Sequence, residues 1–110
     1  MAIKANLVID QGTSFSATID VTNVDGTVYN LTGYTVAAQM RKNYTSSAAT
    51  TFSSTHNGAG GAITLSLLPA VTATIEPGRY LYDVEVTSSG GAVTRIVEGI
   101  VTVTPGMTRI

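Results

Sequence analysis

Regular alternation of apolar and polar residues runs through most of this chain and predicts β-strands. Across residues 15–22 the odd positions carry Phe, Ala, Ile and Val, and the even positions carry Ser, Thr and Asp, so a strand there has one apolar face. The abundance of threonine and valine favours the same conformation, because their branched Cβ atoms restrict χ1. Further strands are predicted over residues 3–9, 34–42, 48–53, 63–67, 79–87 and 92–104.

Clusters of glycine, proline, asparagine and serine separate these strands and predict turns. Asp25-Gly26 favours a tight reversal, and residues 88–91 close a hairpin. Residues 56–61, with the sequence His-Asn-Gly-Ala-Gly-Gly, are typical of a loop. Residues 69–75 are compatible with one short helical turn, which Pro77-Gly78 would end.

Seven or eight short strands without a long helix are typical of an all-β, immunoglobulin-like two-sheet sandwich, and a small barrel is the alternative. The 110 residues suit one domain, which we expect over residues 1–104, followed by a short arm at 105–110. There is no cysteine, so disulfides cannot support the fold. The apolar phase of the strands predicts one shared core that contains Phe15, Ile19, Val36, Met40, Leu65, Tyr82, Val84 and Val101.

Three segments offer uncharged or apolar groups that a partner protein could cover. Residues 48–53 are a predicted edge strand without charge or proline, the usual protections of an exposed edge. Residues 92–104 are apolar on both faces, and Ile96 and Ile100 are expected to point outward. The arm carries the apolar residues Met107 and Ile110. The candidate protein-interface residues are Thr50, Thr51, Phe52, Ile96, Ile100, Met107 and Ile110.

Composition and charge narrow the classes of partner. Six Lys and Arg stand against seven Asp and Glu without a basic cluster, which disfavours nucleic acid. The amino-terminal segment carries a single lysine, and its alternating stretch ends at Asp10, far short of a signal peptide or a membrane span. Charged residues make up 12% of the chain, where about 25% is typical. A surface of threonine, serine, asparagine and glycine is easy to desolvate against another protein.

The residues that could carry chemistry are few and poorly placed for it. His56 is the single histidine and has no acid or nucleophile near it in sequence. Asp83 and Glu85 share a strand face, as the two carboxylates of a glycosidase would. Arg79 on that face and Arg95 and Glu98 on the next strand favour solvated ion pairs across the strands instead. No dense set of oxygen ligands is visible for calcium. We therefore expect no enzymatic activity, no catalytic or metal site and no cofactor.

Two tyrosines, Tyr80 and Tyr82, follow the predicted helical turn and open a strand. Sandwich folds place a structural tyrosine there, whose hydroxyl bonds back to the preceding corner. Either residue fits that role, and the alternative is that both fill the edge of the core.

Several short motifs recur in a fixed order along nearly the whole chain, at residues 10–15, Asp25-Gly26, residues 31–35, residues 39–41, residues 77–85 and residues 95–99. Their order and spacing resemble the immunoglobulin-like domain at the amino terminus of phage baseplate upper proteins. They are also similar to free-standing virion proteins of T4-like marine cyanophages. The baseplate domain leads into further segments, whereas this sequence stops after residue 110.

This resemblance implies a structural protein of the virion, assembled in the bacterial cytoplasm and bound to other particle proteins in many copies. Capsid decoration, neck and baseplate remain equal alternatives, and self-association on the particle is left open. Removal of residues 105–110 is expected to release the domain from the particle. The alternative function is a carbohydrate-binding module for the host surface, which clustering of Tyr29, Tyr44 and Phe52 on one exposed face would favour.

Overall fold

The computed structural model describes residues 3–23, 25–43 and 49–106, and these form nine strands and two short helical turns. No helix in these ranges has the length and apolar character needed to cross a membrane. The strands are β1 (Ile3–Lys4), β2 (Leu7–Asp10), β3 (Phe15–Asp20), β4 (Thr35–Arg41), β5 (Thr50–Thr51), β6 (Ser53–His56), β7 (Ala62–Leu67), β8 (Gly78–Thr87) and β9 (Val93–Thr104). The helical turns are a 3₁₀ turn at Gly58–Gly60 and α1 at Pro69–Thr72.

Two packed sheets make up the fold and confirm the predicted all-β, immunoglobulin-like sandwich. The large sheet has the order β1-β9-β8-β4-β5, and β2 continues beyond β1 along the same side of β9. The small sheet has the order β3-β7-β6. Because β2 runs parallel to the last strand, the amino-terminal segment joins the large sheet and does not pair with β3, its neighbour in sequence.

The core lies between the sheets and contains the residues that alternation predicted. Of the eight predicted core side chains, six are buried, and Ile19 and Val36 are half-buried against the cluster. The side chains of Ile63, Leu65, Val84 and Val101 are 0% exposed. One hydrophobic cluster therefore lies between the two sheets and contacts both of them. This follows from the alternation of apolar and polar residues along each strand, which places the apolar side chains on one face.

A β-bulge between β8 and β9 corrects the expected direction of Ile96. Val84 pairs with Val97 and Glu85 pairs with Arg95, so Ile96 is the extra residue of β9. Two adjacent residues, Ile96 and Val97, consequently both point into the core, with exposures of 3% and 0%. The expectation that Ile96 faces outward is wrong, because the alternation changes phase at this bulge.

The chain changes sheets between β5 and β6, and a series of hydrogen bonds accompanies the change. Ala38 O of β4 accepts a bond from the backbone N–H of Phe52 at 3.0 Å. Two residues further along β6, the Ser54 hydroxyl reaches back to Val36 O at 3.1 Å. Two residues further again, His56 Nε2 bonds Tyr34 O at 2.8 Å. As β6 moves away from β4, the bond is made first by a backbone N–H, then by a short side chain and then by a longer one. The carbonyls along this edge therefore all keep a hydrogen-bond donor.

We predict that Leu65→Asp prevents folding. Leu65 lies in the middle of β7 and is 0% exposed, and an unpaired carboxylate there costs several kcal/mol against a total stability of about 5–15 kcal/mol. Thr55→Asp on the exposed face of β6 is the control and should leave the domain folded. Circular dichroism and urea unfolding provide the measurement. A cooperative, native-like unfolding transition for Leu65→Asp would show that the strand phase is wrong.

We also predict that Ser54→Ala lowers the free energy of unfolding by about 1–3 kcal/mol, because it leaves the half-buried Val36 carbonyl without its donor. Ser53→Ala is the matched control, since it makes the same chemical change on the neighbouring residue, whose side chain is exposed. Urea unfolding of both variants measures the difference. Equal stability of the two variants would contradict a role for the Ser54 bond.

Candidate protein-binding surfaces

The predicted edge at residues 48–53 is divided between the two sheets. Thr50 and Thr51 form β5 and pair with Met40 and Gln39 at the edge of the large sheet. Phe52 follows at the crossing point and is 3% exposed. The expectation that Phe52 is open to a partner is therefore wrong, because the chain turns its side chain inward where it leaves one sheet for the other.

Phe52 instead joins an aromatic cluster inside the core. Its ring centroid lies 6.0 Å from that of Phe15 and 6.2 Å from that of Tyr82. Tyr29 packs edge to face against Tyr34 at 6.0 Å, and Tyr44 lies outside the described residues. Phe52 thus cannot contribute to an exposed sugar-binding platform of the three rings considered in the sequence analysis.

Ile100 does face outward and marks a shallow groove on the outer face of the large sheet. The groove has a volume of about 560 Å³ and lies across β1, β9, β8 and β4. Leu81 pairs with Ile100, which is 39% exposed, and Val8 on the same face is 61% exposed. We call Val8, Leu81 and Ile100 the apolar patch of the outer face.

Charged side chains of both signs line the groove beside Leu81 and Ile100. One row across the sheet runs from Gln39 through Asp83 and Glu98 to Lys4. The charged residues that line the groove are three cations and three anions, namely Lys4, Arg41, Arg95, Asp83, Glu85 and Glu98. The face is therefore neutral overall, and it suits a polar protein surface better than a polyanion.

Ion pairs fix the middle of this face. Arg95 Nε lies 3.0 Å from Asp83 Oδ2, and Arg95 Nη1 lies 3.7 Å from Glu98 Oε2. Lys4 Nζ lies 3.3 Å from Glu98 Oε1. These exposed and partly exposed pairs contribute little to stability, but they leave the acids and bases in the middle of this face paired with one another. The carboxylate of Asp83, one of the two acids weighed for catalysis, is thus engaged by a guanidinium.

His56 is engaged at both ring nitrogens. Its Nδ1 accepts a bond from Gly58 N at 3.0 Å, and its Nε2 bonds Tyr34 O at 2.8 Å. A backbone N–H donates to Nδ1 and a carbonyl accepts from Nε2, so the ring carries its proton on Nε2. The side chain joins β6, the following 3₁₀ turn and the start of β4.

The two tyrosines bond to different parts of the backbone. The Tyr80 hydroxyl donates to Glu76 O at 2.7 Å, four residues earlier at the corner that follows α1, which is the bond of a tyrosine corner. Lys42 Nζ lies 4.9 Å from the centre of the Tyr80 ring.

The Tyr82 hydroxyl donates to Ala5 O at 2.6 Å, which ties the amino-terminal segment to the core. A Cβ on Gly99 would overlap Ala5 O, so glycine permits this close crossing.

The arm can be followed as far as Gly106. Gly106 N donates to Gln11 Oε1 at 3.2 Å, and Gln11 Nε2 in turn donates to Ile75 O at 3.0 Å. One amide side chain therefore holds the start of the arm against the end of the domain. Met107 and Ile110 lie outside the described residues.

Sequence patterns did not identify the amino-terminal side of the groove. Lys4 and Asn6 reach it because β1 pairs with β9 in parallel, and Asn6 Oδ1 accepts from Ile100 N at 3.1 Å. The polar phase of residues 3–9 was visible, but a pattern within one strand carries no information about its partner strand. Pairing between residues separated by 94 positions is a property of the whole fold.

Comparison with known proteins supports the fold without assigning a function. No protein-family model and no curated protein sequence matches the chain. An internalin-like protein of Listeria monocytogenes is similar in structure, with a TM-score of 0.50 and 19% identity. The similarity covers 94% of this chain and 28% of the Listeria chain, so this chain spans less than a third of that protein. At this level of identity the likeness concerns the fold alone.

The Tyr82 hydroxyl predicts a loss of stability at alkaline pH. Burial raises the pKa of Tyr82 from 10.0 to about 12, so the folded state holds the phenolic proton more tightly than the unfolded chain. The protonated Tyr82 hydroxyl contributes fully to the free energy of unfolding below about pH 10, and this contribution is lost as the pH rises to about 12. Urea unfolding across this range should show a steeper decrease for the wild type than for Tyr82→Phe. Identical pH profiles would contradict the coupling.

Proposed function

We propose that this chain is a non-enzymatic structural protein of a tailed-phage particle and that it binds other particle proteins through the outer face of its large sheet. The observation that carries the proposal is the apolar patch of Val8, Leu81 and Ile100 beside paired charges of both signs. Protein interfaces have this anatomy, with an apolar centre and a polar rim that sets orientation. The phage setting comes from the resemblance of the sequence motifs.

The chemistry of the face favours a protein over the other partners considered. Arg95 and Lys4 are already paired with acids, so they offer little free positive charge to a phosphate backbone. The exposed patch is aliphatic, whereas a sugar site commonly presents aromatic rings. Asp83 is bound by Arg95 and His56 is bonded at both nitrogens, which gives each group a structural use.

Thr50, Thr51 and the arm with Met107 and Ile110 remain part of the proposal as secondary contacts. Each contact would be small, but many copies on a repeating lattice make weak interfaces effective together. Attachment of this kind suits a decoration, neck or baseplate component equally. The protein would fold in the host cytoplasm and act on the assembled virion.

We predict that Ile100→Asp reduces incorporation into particles at least tenfold, because it places a carboxylate in the apolar patch. The domain should remain folded, because Ile100 is 39% exposed. Leu68→Asp is the matched control. Leu68 is 71% exposed at the end of the small sheet and precedes α1 as its N-cap residue, where aspartate is favourable. Quantitative mass spectrometry of particles purified from cells that express each variant measures incorporation.

Two outcomes would contradict this proposal. Equal incorporation of Ile100→Asp and wild type would exclude the outer face as the attachment surface. Absence of the wild-type protein from purified particles would exclude the virion function itself. Immunogold labelling of intact particles would then distinguish capsid, neck and baseplate for a protein that does incorporate.

A further inference from the structure

Strand β3 has an open edge whose backbone groups have no partner in the described part of the chain. Val21 N donates to Gly61 O, and the antiparallel register places Ile19 opposite Ile63 and Ala17 opposite Leu65. In such a ladder alternate residues bond to the neighbouring strand, so the odd residues of β3 bond to β7. The N–H and C=O groups of the even residues therefore point away from the sheet, and these residues are Ser16, Thr18 and Asp20.

The opposite edge of the same sheet is treated differently. Strand β6 lies beside β4, and the side chains of Ser54 and His56 cross the gap to the carbonyls of Val36 in β4 and of Tyr34 just before it. Strand β3 sends no such bond to the large sheet, and its exposed residues carry one charge, Asp20, and no proline. A six-residue edge whose single charge stands at its last position has little of the usual protection against pairing with another chain.

The core is also incompletely covered along β3. Ala17 and Ile19 point inward but are half-buried, whereas their partners on β7, Leu65 and Ile63, are 0% exposed. A strand added beside β3 would extend the apolar layer and cover Ala17 and Ile19. One added strand would therefore both bond the open backbone groups of β3 and cover its half-buried side chains.

We propose that the occupant of this edge is β3 of a second copy of the chain, paired antiparallel about a two-fold axis at Thr18. In this register Thr18 pairs with Thr18 of the second copy, and Ser16 pairs with Asp20 of the second copy. Because all of these are even positions, every outward N–H and C=O of the three residues finds a partner. On the inner face, Ala17 lies opposite Ile19 of the second copy, so a small side chain faces a large one.

Charge supports the same register. Asp20, the charged residue of β3, lies opposite the neutral Ser16 of the second copy. Moving the two-fold axis by two residues toward the carboxyl end, from Thr18 to Asp20, would place Asp20 opposite Asp20 of the second copy, which is unfavourable. Moving the axis by two residues toward the amino end, to Ser16, would place each Asp20 beyond the end of the other copy's β3. The edge is therefore self-complementary when it is centred on Thr18.

The expected dimer is weak in solution. Pairing of two short strands buries less than the roughly 1,200–2,000 Å² of a stable interface, so a dissociation constant in the upper micromolar range is expected. The inference does not rest on the proposed function, since purified protein is sufficient to test it.

Sedimentation velocity over a concentration series tests the dimer, with Thr18→Pro and Thr18→Ala as a matched pair. Both substitutions remove the hydroxyl that contacts Thr64 at 3.2 Å, but proline also removes the outward N–H, which the monomer does not use. We expect the wild type and Thr18→Ala to dimerise with rising concentration and Thr18→Pro to remain monomeric. Thr18→Lys provides a second variant that retains the N–H, and repulsion at the two-fold axis should make its dimer weaker at low salt than at high salt.

Amide hydrogen exchange identifies the surface involved. Protection of the Ser16, Thr18 and Asp20 amides should increase with protein concentration, and protection of the Ser54 amide should not. A wild-type protein that stays monomeric at millimolar concentration would overturn the inference. A dimer that persists in both Thr18→Pro and Thr18→Lys, or one without added protection at β3, would also overturn it.

Discussion

The carbonyl groups along the outer edge of β4 set the constraint on which the rest of the sandwich depends. The chain must leave the large sheet after Thr51 to build the small one, and it must do so without leaving Tyr34, Val36 and Ala38 unbonded. It solves this with a backbone N–H from Phe52, a short hydroxyl from Ser54 and a longer imidazole from His56. The single histidine thus has a structural role that depends on its length and its two ring nitrogens.

Closure on that side makes the sandwich asymmetric. The crossing at Phe52 fills the core with its ring and joins the two sheets along the β4 and β6 edge. On the other side, β2 and β3 belong to different sheets and are not joined by a crossing strand. The amino-terminal segment is fixed instead by the Tyr82 bond to Ala5 O and by its parallel pairing with β9. Open backbone therefore remains at β3 because the tether of β2 lies entirely in the large sheet.

Sequence alternation predicted the strands and most of the core, because a period of two relates directly to which side of a sheet a residue faces. Leu65 and Val84 were assigned correctly for this reason, and both are fully buried. Ile96 was assigned wrongly, because one extra residue in β9 inverts the alternation of inward and outward side chains. No pattern in the sequence of that strand indicates the extra residue. Phe52 was also assigned wrongly, because its burial follows from a change of sheet. Alternation within a strand states which residues share a face, but the partner strands determine which face is covered.

The two surfaces proposed here do not overlap, and this matters for how a small domain could work on a particle. The apolar patch lies on the outer face of the large sheet, around Ile100, whereas β3 is an edge of the small sheet. In the proposed arrangement, a copy bound to a particle protein through Ile100 would still have its β3 edge free for a second copy. Binding to a lattice raises the local concentration of that second copy, so an edge contact that is weak in solution becomes effective between neighbours. A neutral face and a sparsely charged edge would be compatible in such a protein, because attachment to a surface would limit the uncontrolled strand pairing to which an open edge is otherwise exposed.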